Sequence, residues 1–206
     1  MLTDKQMEIF TVFVKNPYKK RTRQEIKHLS KEKSNNALNI ALDKFKKENL
    51  IIEKKVGRSS LFKLNFENNL IYYYIALCND KRLKKIVKLS LNYVIEEVKK
   101  ETLFFTIIVF GSYAIGKEKK SSDLDIAIIV EDKSKVKDIE IKLSNATLKS
   151  VLNLDIHVIV YEDFLKMLNN NEENLGKQIA RKHLVVYNNK IFYDLLNEGI
   201  KNGFRF

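Results

Sequence analysis

A chain of 206 residues that is 45% hydrophobic is long enough for one large or two small cores and is not disordered by composition, and two domains are expected. Its single cysteine, Cys78, excludes an intrachain disulfide and a cysteine-based zinc cluster, and reads as a small buried apolar residue of a reducing, cytoplasmic compartment. MLTDKQME lacks the basic-then-apolar pattern of a secretion signal, and no apolar run approaches the ~20 residues of a membrane span, so a soluble chain with no membrane partner is expected. The formal charge of +12 is unevenly placed: residues 1–66 carry 16 Lys and Arg against 7 Asp and Glu, residues 67–104 carry 7 against 5, and residues 105–206 carry 15 against 14. A basic first third attracts polyanions, nucleic acid first among them.

Thr3-Asp4-Lys5-Gln6 has the capping-box form, and Met7, Phe10 and Val14 follow at helical spacing, which predicts a helix ending near Asn16-Pro17. Thr22-Arg23-Gln24-Glu25 repeats the form ahead of Ile26 and Leu29, a short second helix. Ser34 caps a third, with Leu38, Ala41, Leu42 and Phe45 on one stripe. Ile51 to Val56, the turn Gly57-Arg58-Ser59-Ser60, and Leu61 to Phe66 then read as a hairpin, with Phe62, Leu64 and Phe66 on one face and Lys63 and Asn65 on the other.

Three helices followed by a β-ribbon resemble the winged helix-turn-helix module over residues 1–66. The resemblance implies that the third helix enters the major groove by its N-terminal end while the ribbon tip touches the backbone or the minor groove. The matching positions are Lys33, Ser34, Asn35, Asn36 and Asn39 on the helix, with Arg58 and Ser59 at the tip. Residues 67–101 read as a helical connector of two helices, the first with the stripe Leu70, Tyr73, Tyr74 and Leu77, the second with Leu83, Ile86, Val87, Leu91, Val94, Ile95 and Val98. The aromatic run Ile71-Tyr72-Tyr73-Tyr74 is assigned to packing between domains.

The apolar run Phe104 to Phe110 predicts a buried strand, broken at Gly111-Ser112 by a turn into a short helix. Gly111 has no Cβ, so a ligand can approach its backbone, and Ser112 adds a hydroxyl and an amide suited to phosphate. Ten residues on, Asp123 and Asp125 occupy i and i+2 of a second apolar strand, so both carboxylates point to one side and Leu124, Ile126 and Ile128 to the other. Two such carboxylates repel unless a cation lies between them, and a hard divalent ion bridging carboxylate to phosphate resolves the conflict. Lys117, Lys119 and Lys120 between the two motifs read as a solvated segment.

Gly111-Ser112, ten residues, then Asp123-Leu124-Asp125 resembles the signature of the polymerase-β-like nucleotidyltransferase superfamily, in its minimal nucleotidyltransferase branch. The resemblance extends over about residues 69–200, through the strand-like Leu184-Val185-Val186-Tyr187, and calls for a third carboxylate on a neighbouring strand; Asp155, opening Asp155-Ile156-His157-Val158-Ile159-Val160, supplies it, with His157 beside it as a supporting residue. It implies a two-domain α+β or α/β chain whose residues 102–206 form a catalytic domain with a mixed sheet flanked by helices. It implies two Mg²⁺ ions (or Mn²⁺) held by Asp123, Asp125 and Asp155, an NTP with ATP first, and Gly111 and Ser112 on the nucleotide. The function so implied is transfer of a nucleoside monophosphate to a macromolecular acceptor. Two alternatives share the resemblance: an antitoxin adding AMP to a HEPN-domain toxin, and a DNA-binding regulator that senses nucleotide.

Overall fold

The computed structural model describes all residues, Met1–Phe206, and divides into two compact units, Met1–Asp80 and Lys81–Phe206. In the first unit, α1 (Asp4–Val14) begins at Thr3 with both halves of the capping box formed. A two-residue strand β1 (Arg21–Thr22) leads into α2 (Arg23–Ser30), where Thr22 and Glu25 form the second box. Ser34 caps α3 (Asn35–Lys47) through the Ala37 amide at 3.2 Å. Strands β2 (Ile51–Val56) and β3 (Ser59–Leu64) pair antiparallel through a two-residue loop, and β1 joins the far side of β3. Gly57 opens that loop at φ 57°, the left-handed conformation whose twist matches the flanking strands.

The core of this unit is aromatic: Phe10, Phe13 and Phe45 are buried and meet edge to face. The expected face of β3 ends one residue early. Asn65 is buried because its amide donates to the carbonyl of Asn49, which closes α3 in a left-handed conformation; Phe66 turns aside to stack on Tyr18 at 5.0 Å.

The segment expected as one connector is divided between the units at Asp80/Lys81, inside α4 (Leu70–Arg82). The expected stripe on α4 is also rotated. Ile71, Tyr72, Tyr74, Ile75 and Cys78 are buried, whereas Leu70, Tyr73 and Leu77 are exposed. Tyr72 and Tyr74 pack on Phe66 and Phe10, so the aromatic run closes the first unit's own core instead of serving between domains. The Tyr74 hydroxyl, donating to Glu48, shows why a tyrosine can be buried there.

The second unit opens with α5 (Lys85–Lys99), which buries Val87, Leu91, Val94 and Val98. Strand β4 (Phe105–Phe110) is buried throughout; Phe104, expected within it, is exposed. After the single turn α6 (Gly111–Ala114) come β5 (Leu124–Val130), a 3₁₀ turn (Lys133–Lys135), α7 (Val136–Lys149) and β6 (Leu154–Val160). The chain finishes with α8 (Tyr161–Asn169), α9 (Leu175–Arg181), β7 (His183–Tyr187) and α10 (Asn189–Lys201). The sheet runs β6-β5-β4-β7, with β5 and β6 parallel and the other pairs antiparallel, so the expected mixed sheet is present. Helices α5 and α7 cover Ile107, Val109, Ile126 and Ile128 on one face. No helix is long and apolar enough to cross a membrane.

His183 fixes the junction between α9 and β7. Nδ1 lies 2.8 Å from the Ala180 carbonyl, an acceptor only, so Nδ1 carries the proton and Nε2, 3.2 Å from the Tyr193 hydroxyl, accepts. Burial pushes its pKa down to about 4. A histidine whose folded pKa lies below its unfolded value stabilises the fold fully above the unfolded pKa and progressively less as pH falls towards the folded one. Denaturant unfolding should therefore lose about 3 kcal/mol between neutral pH and pH 4 through this group, and His183→Gln should flatten that slope. An unchanged slope in the variant would refute it.

Candidate active site

Strand register brings the distant carboxylate to the pair. Asp125 and Asp155 are Cα partners across the parallel β5/β6 pair, in line with Leu124↔Leu154 and Ile126↔Ile156. A crossover through α7 puts both at the N-terminal ends of their strands, one residue from where the ladder starts. Leu124, Ile126 and Ile128 are fully buried on the α5/α7 face, so Asp125 is directed to the other. Asp123, just ahead of β5, is exposed, and Asp155 stands on the edge strand with its side chain 53% exposed.

Asp125 is half-buried. Burial first, then the charges of Asp155 and Asp123, hold its carboxyl above the ordinary aspartate range; His157 and a hydrogen bond from the Ser112 backbone N–H oppose this. His157 Nε2 lies 3.4 Å from Asp155 Oδ1, and its ring is 5.9 Å from that of Phe110. The histidine thus supports the third carboxylate from the same face of β6, as its i+2 spacing predicts.

Gly111 is required for two reasons. Its φ is 63°, and a Cβ there would stand 2.0 Å from Asp125 Oδ2. The turn and the carboxylate are therefore one unit, and the Ser112 amide, expected to face phosphate, is engaged with Asp125. The loop from Gly116 to Ser122 is more ordered than a merely solvated segment: Lys117 N–H donates to the Ser112 carbonyl at 3.0 Å, and Lys119 N–H to Ser122 Oγ at 2.9 Å. Lys117, Lys119 and Lys120 still extend into solvent. Two restraints escape sequence reasoning because they are long-range: Arg82 donates to the Ala114 carbonyl at 2.6 Å, and Lys84 pairs with Glu118 at 2.6 Å.

The donor set, three carboxylates without a thiol, has the chemistry of a hard-cation site. In this structure, however, no group of three or more His, Cys, Asp or Glu side chains is gathered so that it could hold a metal ion.

Residues 92–191 match the family model described as polymerase beta, nucleotidyltransferase. That segment runs from within α5 to the start of α10 and contains Gly111, Ser112, Asp123, Asp125 and Asp155. A solved structure described as a crystal structure of a toxin-antitoxin with AMP-PNP shares 19% identity, with a TM-score of 0.37, over 53% of this chain and 83% of its own. No curated protein matches. Residues 1–66 lie outside the matched segment.

The residues expected to meet nucleic acid lie together at the start of α3 and at the hairpin tip. Lys33, Ser34, Asn35, Asn36, Asn39, Arg58 and Ser59 are all exposed. Two of the asparagines are already committed: Asn35 Oδ1 accepts from Lys27 Nζ at 2.7 Å, and Asn39 Oδ1 accepts from Arg23 Nε and Nη2 at 3.1 and 2.9 Å. Asn36 keeps both amide atoms free, which recognition of an adenine edge requires.

Proposed function

We propose that this chain is a metal-dependent nucleotidyltransferase that moves a nucleoside monophosphate, AMP first, from an NTP to a macromolecular acceptor. The observation that carries the reading is Asp125, seated against Gly111 and paired in register with Asp155, inside the segment that matches the nucleotidyltransferase family. Its ionised form is disfavoured by burial and by two neighbouring carboxylates, and a divalent cation relieves that conflict. Asp123, Asp125 and Asp155 would hold Mg²⁺, one ion or two, which supplies Lewis-acid stabilisation of phosphate charge.

The chain's own residues do the rest. Gly111, having no Cβ, lets the Asp125 carboxylate sit against the turn, where it would face the phosphates of the bound nucleotide. The acceptor hydroxyl attacks the α-phosphorus, the bond from that phosphorus to the bridging oxygen breaks, and pyrophosphate leaves with the electron pair. Asp155 takes the hydroxyl proton; on an open edge strand it meets the acceptor first, and His157 holds its Oδ1 side.

The test supplies the purified chain with Mg²⁺ and cell extract, and ATP labelled at either the α- or the γ-phosphate. Label appearing in a macromolecule from the α position alone supports nucleotidyl transfer; label from the γ position alone, or from neither, overturns it. A labelled protein would indicate the antitoxin-like use of this chemistry, a labelled nucleic acid the templating or tailing use.

We further propose that residues 1–66 form a winged helix-turn-helix module binding duplex DNA through α3 and the β2/β3 tip. The +9 balance of that segment and the free Asn36 support it. Binding of the full chain should weaken with salt at a log–log slope of about −0.9 per phosphate contact, and Arg58→Ala should flatten the slope by roughly one contact for every sequence alike. Asn36→Ala should instead blur preference at one base pair, more than Asn35→Ala does. Salt-independent retention, or none at low ionic strength, would make the module a protein-docking surface.

A further inference from the structure

Away from the carboxylates, α8, α9, α10 and the C-terminal tail border an open cavity of about 350 Å³ lined by none of the residues assigned to the nucleotide. Lys177 on α9 lines it and is only 8% exposed. Its backbone N–H donates to Asn174, but its ammonium forms no hydrogen bond or ion pair. The aliphatic stem of Lys177 is buried while its ammonium opens into the cavity with no protein partner, as a free donor for an anion. Arg205 joins it from the tail. One nitrogen, Nη1, bonds the carbonyls of Ile200 and Phe204 at 3.0 and 2.8 Å, leaving Nε and Nη2 as donors.

The remaining lining is amide-rich: Asn169, Asn170, Asn171 and Asn202. Asn170 Oδ1 already accepts from the Glu172 N–H at 2.9 Å, so its amide nitrogen is the atom left to donate. No carboxylate lines the cavity. The C-terminal carbonyls of α8 and α10 close by carry only partial negative charge, about half a unit per helix end, against two full positive charges. The balance calls for an anion. Donors arriving from several elements suit a tetrahedral group with three or more acceptor oxygens better than a planar carboxylate.

We propose that this cavity is a second anion site, which takes the phosphate group of a small molecule and is separate from the site of nucleotidyl transfer. Its occupant would complete the coordination of Lys177 that the fold leaves open, and would tie the C-terminal tail to α9.

The test uses thermal unfolding of the full chain in chelator, comparing inorganic phosphate with chloride at equal ionic strength, and then AMP. Phosphate should raise Tm in the wild type and in Asp125→Asn. It should fail to do so in Lys177→Met. Arg205→Gln, an exposed change on the tail, should weaken phosphate binding about tenfold and stands as the test if Lys177→Met does not fold. A larger shift with AMP than with phosphate, lost in the same variants, makes the occupant a phosphorylated small molecule; equal shifts make it free phosphate, and either leaves the site standing. No shift in the wild type, an undiminished shift in both Lys177→Met and Arg205→Gln, or a shift abolished by Asp125→Asn overturns the proposal.

Discussion

Asp125→Asn should remove the proposed nucleotidyl transfer, by about a thousandfold or more, while raising the Tm of the chain in the absence of divalent cations. The two effects have one origin. The carboxyl of Asp125 is pushed above the ordinary aspartate range by burial and by the Asp155 and Asp123 charges, so its ionised form is disfavoured in the folded state. The sign follows from linkage: a raised folded pKa means that the native state binds protons more readily than the unfolded chain. The penalty is present above the folded pKa and fades as pH falls below the unfolded one. The neutral amide removes the penalty and still accepts the Ser112 N–H, so the variant's advantage in Tm should shrink on acidification. Mg²⁺ should reverse the order, stabilising the wild type and leaving the variant unmoved. Transfer at near wild-type rate, or a variant less stable in chelator at neutral pH, would mean that Asp125 is not at a cation site.

Gly111→Ala should be nearly as damaging to turnover, and for a steric reason. At φ 63° any side chain is strained, at a cost of about 1–2 kcal/mol. The added methyl would also lie 2.0 Å from Asp125 Oδ2 and 2.9 Å from its Cγ, so the carboxylate must move. A displacement of that order at a reacting centre costs roughly a hundredfold in rate. Gly116→Ala is the matched control: its φ is 68° but nothing lies within 4 Å of its Cβ position. It should show the same loss of stability and far less loss of transfer. If both variants lose activity equally, backbone strain in the loop, and not the seating of Asp125, governs the site.

Local chemistry made much of this chain legible. Thr3, Thr22 and Ser34 start the first three helices because a hydroxyl satisfies amides within its own turn, an interaction of residues three apart that survives any tertiary context. The β2/β3 hairpin followed from Gly57, and the strands β4 and β5 from runs of β-branched residues. Spacing alone puts Asp123 and Asp125 on one side, since i and i+2 on a strand share a face wherever that strand lies, whereas Asp155 is named by the family resemblance.

Where the structure departs from the expectation, the deciding partner is distant in sequence. The stripe on α4 was misjudged because a helix with apolar residues on several sides has no unique buried face; Phe10 and Phe66 decided that Tyr74 and Tyr72 go inside and Tyr73 stays out. Asn65 looked like the polar face of a strand until the carbonyl of Asn49 captured it. The boundary between units fell within α4, since helical periodicity continues across a domain border without a mark.

What the sequence determined by itself is the inventory: capped helices, a β-hairpin, a Gly-Ser turn and three aspartates at strand starts. What only the tertiary structure decided is their meeting. The parallel register that sets Asp155 opposite Asp125 depends on how α7 carries the chain across the sheet. The contact of Asp125 with Gly111 depends on β4 and β5 pairing antiparallel, and the cavity around Lys177 on three helices converging. Spacing fixes which way a side chain leaves its own strand or helix; what it meets there is set by packing between segments tens of residues apart, where hydrophobic burial across the whole unit chooses the register.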